Sequence, residues 1–112
     1  MSWQADLNAE VEAARERAKS RPRPWWIFFD QLPQGVFAEG ADRVVIARTL
    51  ISMRVPVRPA PTDRPECEFY ALDGVERLAV DEEDMPAVMR CVRLTGLHGF
   101  YRKAGTEREY RF

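Results

Sequence analysis

Proline placement sets the first limits on this chain. Its eight prolines are Pro22, Pro24, Pro33, Pro56, Pro59, Pro61, Pro65 and Pro86. Each locks φ and lacks an N–H, so it belongs at the start of an element, in a connection or on a sheet edge. Pro22 and Pro24 force extended backbone and make residues 20–24 a short basic hinge. Pro56, Pro59, Pro61 and Pro65 predict a polyproline-like surface connection. Within it, Pro56-Val57-Arg58-Pro59 matches a PxxP docking segment, but that pattern is common by chance and a plain linker is the simpler reading. Pro33 falls in a connection from Asp30 to Gly35, and Pro86 fits a first helical turn.

Between these breaks the apolar pattern predicts the elements. Residues 6–19 read as a helix with Asp6 as N-cap and Leu7, Val11, Ala14 and Ala18 in one narrow stripe. So thin a stripe needs a partner surface. Trp25-Trp26-Ile27-Phe28-Phe29 reads as a strand, and Val36-Phe37-Ala38 as a short return strand closed by Gly40. Residues 43–57 fit two periods. As a strand, Val45, Ala47, Thr49, Ile51, Met53, Val55 and Val57 face one way; as a helix, Asp42 caps it and Val44, Ala47, Leu50 and Ile51 turn inward. The β-branched load favours the strand. Asp73-Gly74 predicts a type I′ hairpin that sets Phe69 opposite Leu78, Cys67 opposite Val80 and Tyr70 opposite Arg77. Asp84 caps a helix over residues 85–95, buried through Met85, Val88, Met89 and Val92 and stopped by Gly96. The tail from Phe100 to Phe112 predicts a second hairpin turning near Gly105.

Charge is sorted along the chain. Glu66, Glu68, Asp73, Glu76, Asp81, Glu82, Glu83 and Asp84 face a single Arg77 between residues 66 and 84. After Pro86 the sign reverses, with Arg90, Arg93, Arg102, Lys103, Arg108 and Arg111 against Glu107 and Glu109. The formal net charge of -1 hides this separation, which suits a binding surface better than a uniform mixture does. With 46% hydrophobic and 31% charged residues, the chain has an ordinary globular composition. Its aromatic residues supply a core without disulfides or metal.

Cys67 and Cys91 form no C-x-x-C pair, and His98 is the sole histidine, so a structural zinc site lacks ligands. Both thiols read as buried and free in a reducing compartment. The N-terminus shows no secretory pattern and no apolar run reaches the ~20 residues of a membrane span. The expectation is a soluble cytoplasmic protein with no cofactor and no membrane partner.

Each candidate site has a plainer reading beside it. Asp81, Glu82, Glu83 and Asp84 offer carboxylates to a cation but lack the spaced ligands of a calcium loop. They also suit the positive end of the following helix. As part of the acidic stretch they read as a protein-binding rim or an imitation of nucleic-acid phosphates. Tyr101, Arg102, Lys103 and Arg111 read as a basic, aromatic platform for single-stranded nucleic acid, although Glu107 and Glu109 repel phosphate. His98, flanked by Gly96 and Gly99, could pair with Cys91 or Cys67 as nucleophile and base, but no third orienting group accompanies them. Trp25 and Trp26 are adjacent, so on a strand they face opposite ways; one is core and the other an interface anchor, or else the N-terminal helix covers that second face, which needs the helix or a second protomer as its cover.

The fold class these readings predict is α+β: one small domain over residues 1–112 with a mostly antiparallel sheet, an N-terminal helix and a short helix near 85–95. The leading function is a non-catalytic protein–protein interaction module, an adaptor, regulator or small inhibitor. It would use Trp25, Trp26 and the acids 81–84 toward another protein or a second copy of itself. Single-stranded nucleic-acid binding, nucleic-acid mimicry and a small Cys/His enzyme are the alternatives.

Overall fold

The computed structural model describes residues 24–64, 66–72 and 74–112. The helix expected over 6–19 and the hinge up to residue 23 lie outside the described residues. In chain order the elements are β1 (Trp25–Phe29), β2 (Gly35–Glu39), α1 (Asp42–Ser52), β3 (Pro59–Pro61), β4 (Cys67–Ala71), β5 (Arg77–Val80), α2 (Met85–Thr95), β6 (Gly99–Lys103) and β7 (Tyr110–Arg111). A short 3-10 turn, Glu82–Asp84, leads into α2. The class is α+β with antiparallel pairing, but the strands form two sheets where the sequence predicts one. Their orders are β5-β1-β6-β7 and β2-β4-β3.

Strand β1 is central to the first sheet because its apolar residues suit burial by neighbours on both edges. It pairs with β5 (Ile27 opposite Leu78) and with β6 (Ile27 opposite Tyr101). The period of two turns Trp25, Ile27 and Phe29 toward the core and Trp26 and Phe28 away from it. Ile27, Leu78 and Val80 of this sheet meet Val36 and Tyr70 of the other, and α1 and α2 close the same cluster through Leu50 and Val92.

The expected hairpin at Asp73-Gly74 does not form. The turn itself exists: Gly74 has φ 74°, and the Val75 N–H donates to the Leu72 carbonyl at 2.9 Å. It joins strands of different sheets, however, since β4 pairs with β2 and β3 while β5 pairs with β1. Phe69 therefore lies opposite Phe37 and Tyr70 opposite Val36, not Leu78 and Arg77. Leu72 explains the divergence. It is fully buried and its N–H donates to Gln34 at 2.9 Å, so the chain turns into the core before β5 begins. A turn signal is local, whereas burial decides which strand becomes the partner. The predicted return strand forms as β2 but joins β4 for the same reason. The C-terminal hairpin forms as predicted, with Tyr101 opposite Tyr110 and Gly105 in the turn at φ 81°. Pro59–Pro61, expected as connection, forms an exposed edge strand on β4, a position where missing donors cost least.

Residues 43–52 are helix, not the strand that β-branching favours. Propensity differences amount to a few tenths of a kcal/mol per residue. Against them, α1 buries Ile46, Ala47, Thr49 and Leu50 on one side. Its first residue, Asp42, accepts two hydrogen bonds from the Arg90 guanidinium on α2, at 2.9 and 2.8 Å. Both helices end alike. The Leu97 N–H returns to Val92 and the Val55 N–H to Leu50, each across a residue with positive φ. In α2 that residue is Gly96 at φ 80°, as predicted; in α1 it is Arg54 at φ 62°. The buried face of α2 is the predicted one: Met85, Val88, Met89 and Val92.

One glycine-dependent contact and one left-handed arginine give direct tests. A Cβ on Gly99 would lie 1.9 Å from the Phe28 carbonyl oxygen, in rigid strand backbone. Gly99→Ala is expected to destabilise the fold by at least about 2 kcal/mol, read by chemical denaturation. Arg54→Gly removes left-handed strain and is expected to add roughly 0.5–1 kcal/mol in the same assay; unchanged or lower stability would count against strain at that helix end.

Candidate functional site

The two faces of the first sheet separate residues that are neighbours in sequence. On the inner face Trp25 packs edge-on to Tyr101, with centroids 5.7 Å apart, and Tyr110 stacks on Tyr101 at 5.3 Å. The Trp25 Nε1 is buried and meets no acceptor among the described residues. Trp25 is thus a half-buried residue packed against the core. Tyr101 faces the same way, so it cannot share a surface with Arg102, its neighbour on β6. Lys103 lies opposite Trp25 at the exposed end of β6. The predicted nucleic-acid group of Tyr101, Arg102, Lys103 and Arg111 is therefore divided between two faces.

On the outer face the same register assembles a group the sequence does not. Trp26 lies opposite Arg102 and Ala79, and Phe28 opposite Phe100 and Arg77. Arg111 lies opposite Phe100. Phe28 and Phe100 stack with centroids 4.8 Å apart. The Arg77 guanidinium sits over the Trp26 ring at 4.5 Å, and that of Arg102 over Phe28 at 5.1 Å. Beyond Phe28 a shallow groove of about 380 Å³ is lined by Phe28, Phe29, Asp30, Leu32, Glu76 and Phe100. Leu32 is 61% exposed there, and Asp30 is paired with Arg111 at 2.6 Å. Trp26, Arg102 and Arg111, singled out for different reasons, thus share one face. Arg77, Phe28 and Phe100 join them and were legible only once strand pairing was known.

The acidic stretch does not form a continuous surface. Asp84 is buried and accepts a hydrogen bond from Arg48 of α1 at 2.5 Å, instead of capping α2. Asp81 is buried as well, and its carbonyl accepts from the Asp84 N–H. Glu82 and Glu83 alone of the four are exposed. Glu68 lies 3.6 Å from Arg43 and accepts from the Tyr70 hydroxyl at 3.4 Å. Burial, with Glu68 beside it, raises the Tyr70 phenol above its usual range. Among the described residues no cluster of His, Cys, Asp and Glu is large enough to hold a metal ion.

The geometry separates the proposed thiol and base. Cys67 and Cys91 are buried free cysteines. Cys91 lies in a depression with Glu39, Asp42, Arg90 and Leu94, whereas His98 lies in another with Asp30, Gln31, Gly96 and Leu97. Burial first, and Asp42 second, push the Cys91 thiol up to about 12. The glycines flanking His98 have structural duties: Gly96 ends α2 and Gly99 admits the Phe28 carbonyl. No helix among the described residues is long and apolar enough to cross a membrane.

At neutral pH both thiols are expected to resist a soluble disulfide reagent in the folded protein and to react fully once it is unfolded. Rapid labelling of Cys91 before unfolding would restore it as a nucleophile candidate. No protein-family model, curated protein or solved structure matches this chain.

Proposed function

We propose that this protein is a non-catalytic protein–protein interaction module, acting as an adaptor, regulator or small inhibitor, and that the outer face of its four-stranded sheet is the contact surface. The observation that carries this reading is the aromatic row Trp26, Phe28 and Phe100, packed outside the core cluster and bordered by exposed Leu32. Large rings near solvent, ringed by Arg, are the usual composition of an interface centre. Two buried free thiols fit a reducing compartment, so the proposed location is the cytoplasm.

Single-stranded nucleic acid is the weaker reading of the same face. A base needs an open ring face to stack on. Guanidinium groups already lie over Trp26 and Phe28, and Phe28 and Phe100 cover each other. Mimicry of nucleic acid is weaker still, because Asp81 and Asp84 are buried.

The two tryptophans separate interface from core. Trp25→Ala is expected to cost about 3 kcal/mol or more, since it empties the inner aromatic cluster. Trp26→Ala is expected to cost only about 1 kcal/mol, the loss of one cation–π contact and partial burial. The tagged chain, incubated with nuclease-treated native lysate and read by mass spectrometry, is expected to lose its protein partner in the Trp26 variant. Retained capture in that variant would refute this face as the contact surface.

A further inference from the structure

We infer that the occupant of the outer sheet face is a second copy of this chain, seated face to face about a twofold axis. The inference rests on the reading of that face as protein-binding.

The face is electrically polar along its strands. Toward the Trp26 end stands the guanidinium of Arg77, over the Trp26 ring, while that of Arg102 lies over Phe28 at the middle of the face; neither is paired with a carboxylate among the described residues. Toward the Asp30 end stand Asp30 and Glu76, which line the groove beside Leu32. Arg111 neutralises Asp30, so among the described residues Glu76 is the acid without an ion pair at that end. A cation at one end and an anion at the other make a surface its own complement. A twofold axis in the plane of contact, crossing the strands at Phe28 and Phe100, runs the two β1 strands antiparallel. It lays the Trp26 end of one copy over the Asp30 end of the other. Each Arg77 then meets Glu76 of the second copy, twice per dimer, and the Phe28–Phe100 stacks lie nearest the axis, with the Arg102 guanidinium over Phe28 in each copy.

Other occupants fit less well. A uniformly acidic peptide would satisfy Arg77 and Arg102 but meet Glu76 and Asp30 in the groove. A polynucleotide finds the ring faces covered and the same acids in its path. Size sets the strength of the pairing. Strands of four, five, five and two residues, about 4.8 Å apart, present roughly 250 Å² of sheet. A standard interface covers about 800 Å² per partner. The pairing therefore lies at the small end and dissociates on dilution.

The test is sedimentation velocity of the full chain over a wide concentration range, with Arg77→Glu, Glu76→Arg and an equimolar mixture of the two. Arg77 and Glu76 are both exposed, and matching melting curves confirm that the variants fold. The wild type is expected to pass from monomer to dimer as concentration rises. Each single variant turns both Arg–Glu contacts of the dimer into like-charge contacts and should weaken it at least about tenfold. The mixture should restore it, because a heterodimer of the two variants re-forms both Arg–Glu contacts, one of them with its signs exchanged. A wild type that stays monomeric, or a dimer equally strong in both single variants, overturns the inference. If the wild type is monomeric but Trp26→Ala still abolishes capture of another protein, the protein-binding reading survives with a different partner. If it is monomeric and Arg77→Glu instead abolishes salt-sensitive oligonucleotide binding, both readings fall.

Discussion

The alternation of β1 governs the rest of this structure. Five large apolar residues in succession cannot all face one core, because a strand sends neighbours to opposite sides. Trp25, Ile27 and Phe29 face inward, and the inner layer is built around them from Leu78, Val80, Tyr101 and Phe112. Trp26 and Phe28 are left outside by the same geometry. The chain answers with what β5 and β6 bring alongside: a ring from Phe100 and guanidiniums from Arg77 and Arg102. The close fit of β6 against β1 also depends on Gly99, where the Phe28 carbonyl occupies the space of a missing side chain. The outer aromatic face and the inner core are therefore consequences of one strand, and neither can change without the other.

The sorted charge of the sequence has a second use inside the fold. Acids and bases that are distant in the chain meet between elements. Arg48 on α1 holds Asp84 at the entrance to α2, with both side chains largely buried. Arg90 on α2 holds Asp42 at the first turn of α1 with a two-point fork. The two helices are thereby fastened to each other at both of these junctions. The contributions differ. An exposed pair such as Arg64 with Glu39 contributes about 0–1 kcal/mol. Removing one partner of a buried pair costs about 3–5 kcal/mol, because a charge is left in a dry site. Thr95 supplies a neutral version of the same link: its hydroxyl donates to the Cys91 carbonyl at 2.6 Å and accepts from the Phe37 N–H at 2.8 Å. That satisfies a donor on the open edge of β2 and closes the edge to another strand.

Local chemistry was legible in the sequence, and long-range pairing was not. The buried face of α2, its stop at Gly96, the strand at Trp25–Phe29 and the turn near Gly105 each depend on a few consecutive residues, and each was readable. The turn at Asp73-Gly74 was readable too, but its consequence was not, because Leu72 and the aromatic edge of β1 chose the partners. Residues 43–52 show the limit of propensity. Their β-branched side chains favour a strand weakly, and burial of Ile46, Ala47 and Leu50 with the Asp42 fork outweighs it. The candidate face was half legible. Trp26, Arg102 and Arg111 stood out individually, but only strand register joins them and adds Arg77, Phe28 and Phe100. The acids 81–84 misled for the converse reason: sequence shows charge and not burial, and two of the four are inside.

How a guanidinium rests on a ring decides what such a face can recognise. Arg77 over Trp26 and Arg102 over Phe28 gain about 0.5–1 kcal/mol each from the ring quadrupole. A guanidinium held over a ring has already lost much of its rotamer freedom, so a partner carboxylate need not supply that ordering again. Its N–H groups lie in its own plane and can donate to a carboxylate without leaving the ring. Phosphates can be held in the same way, but the bases attached to them would then need ring faces that the arginines occupy. A face built of rings with arginines laid over them therefore favours a partner that offers single carboxylates among apolar side chains. Glu76, beside Leu32 and the Phe28–Phe100 stack, is such a group on this chain's own surface.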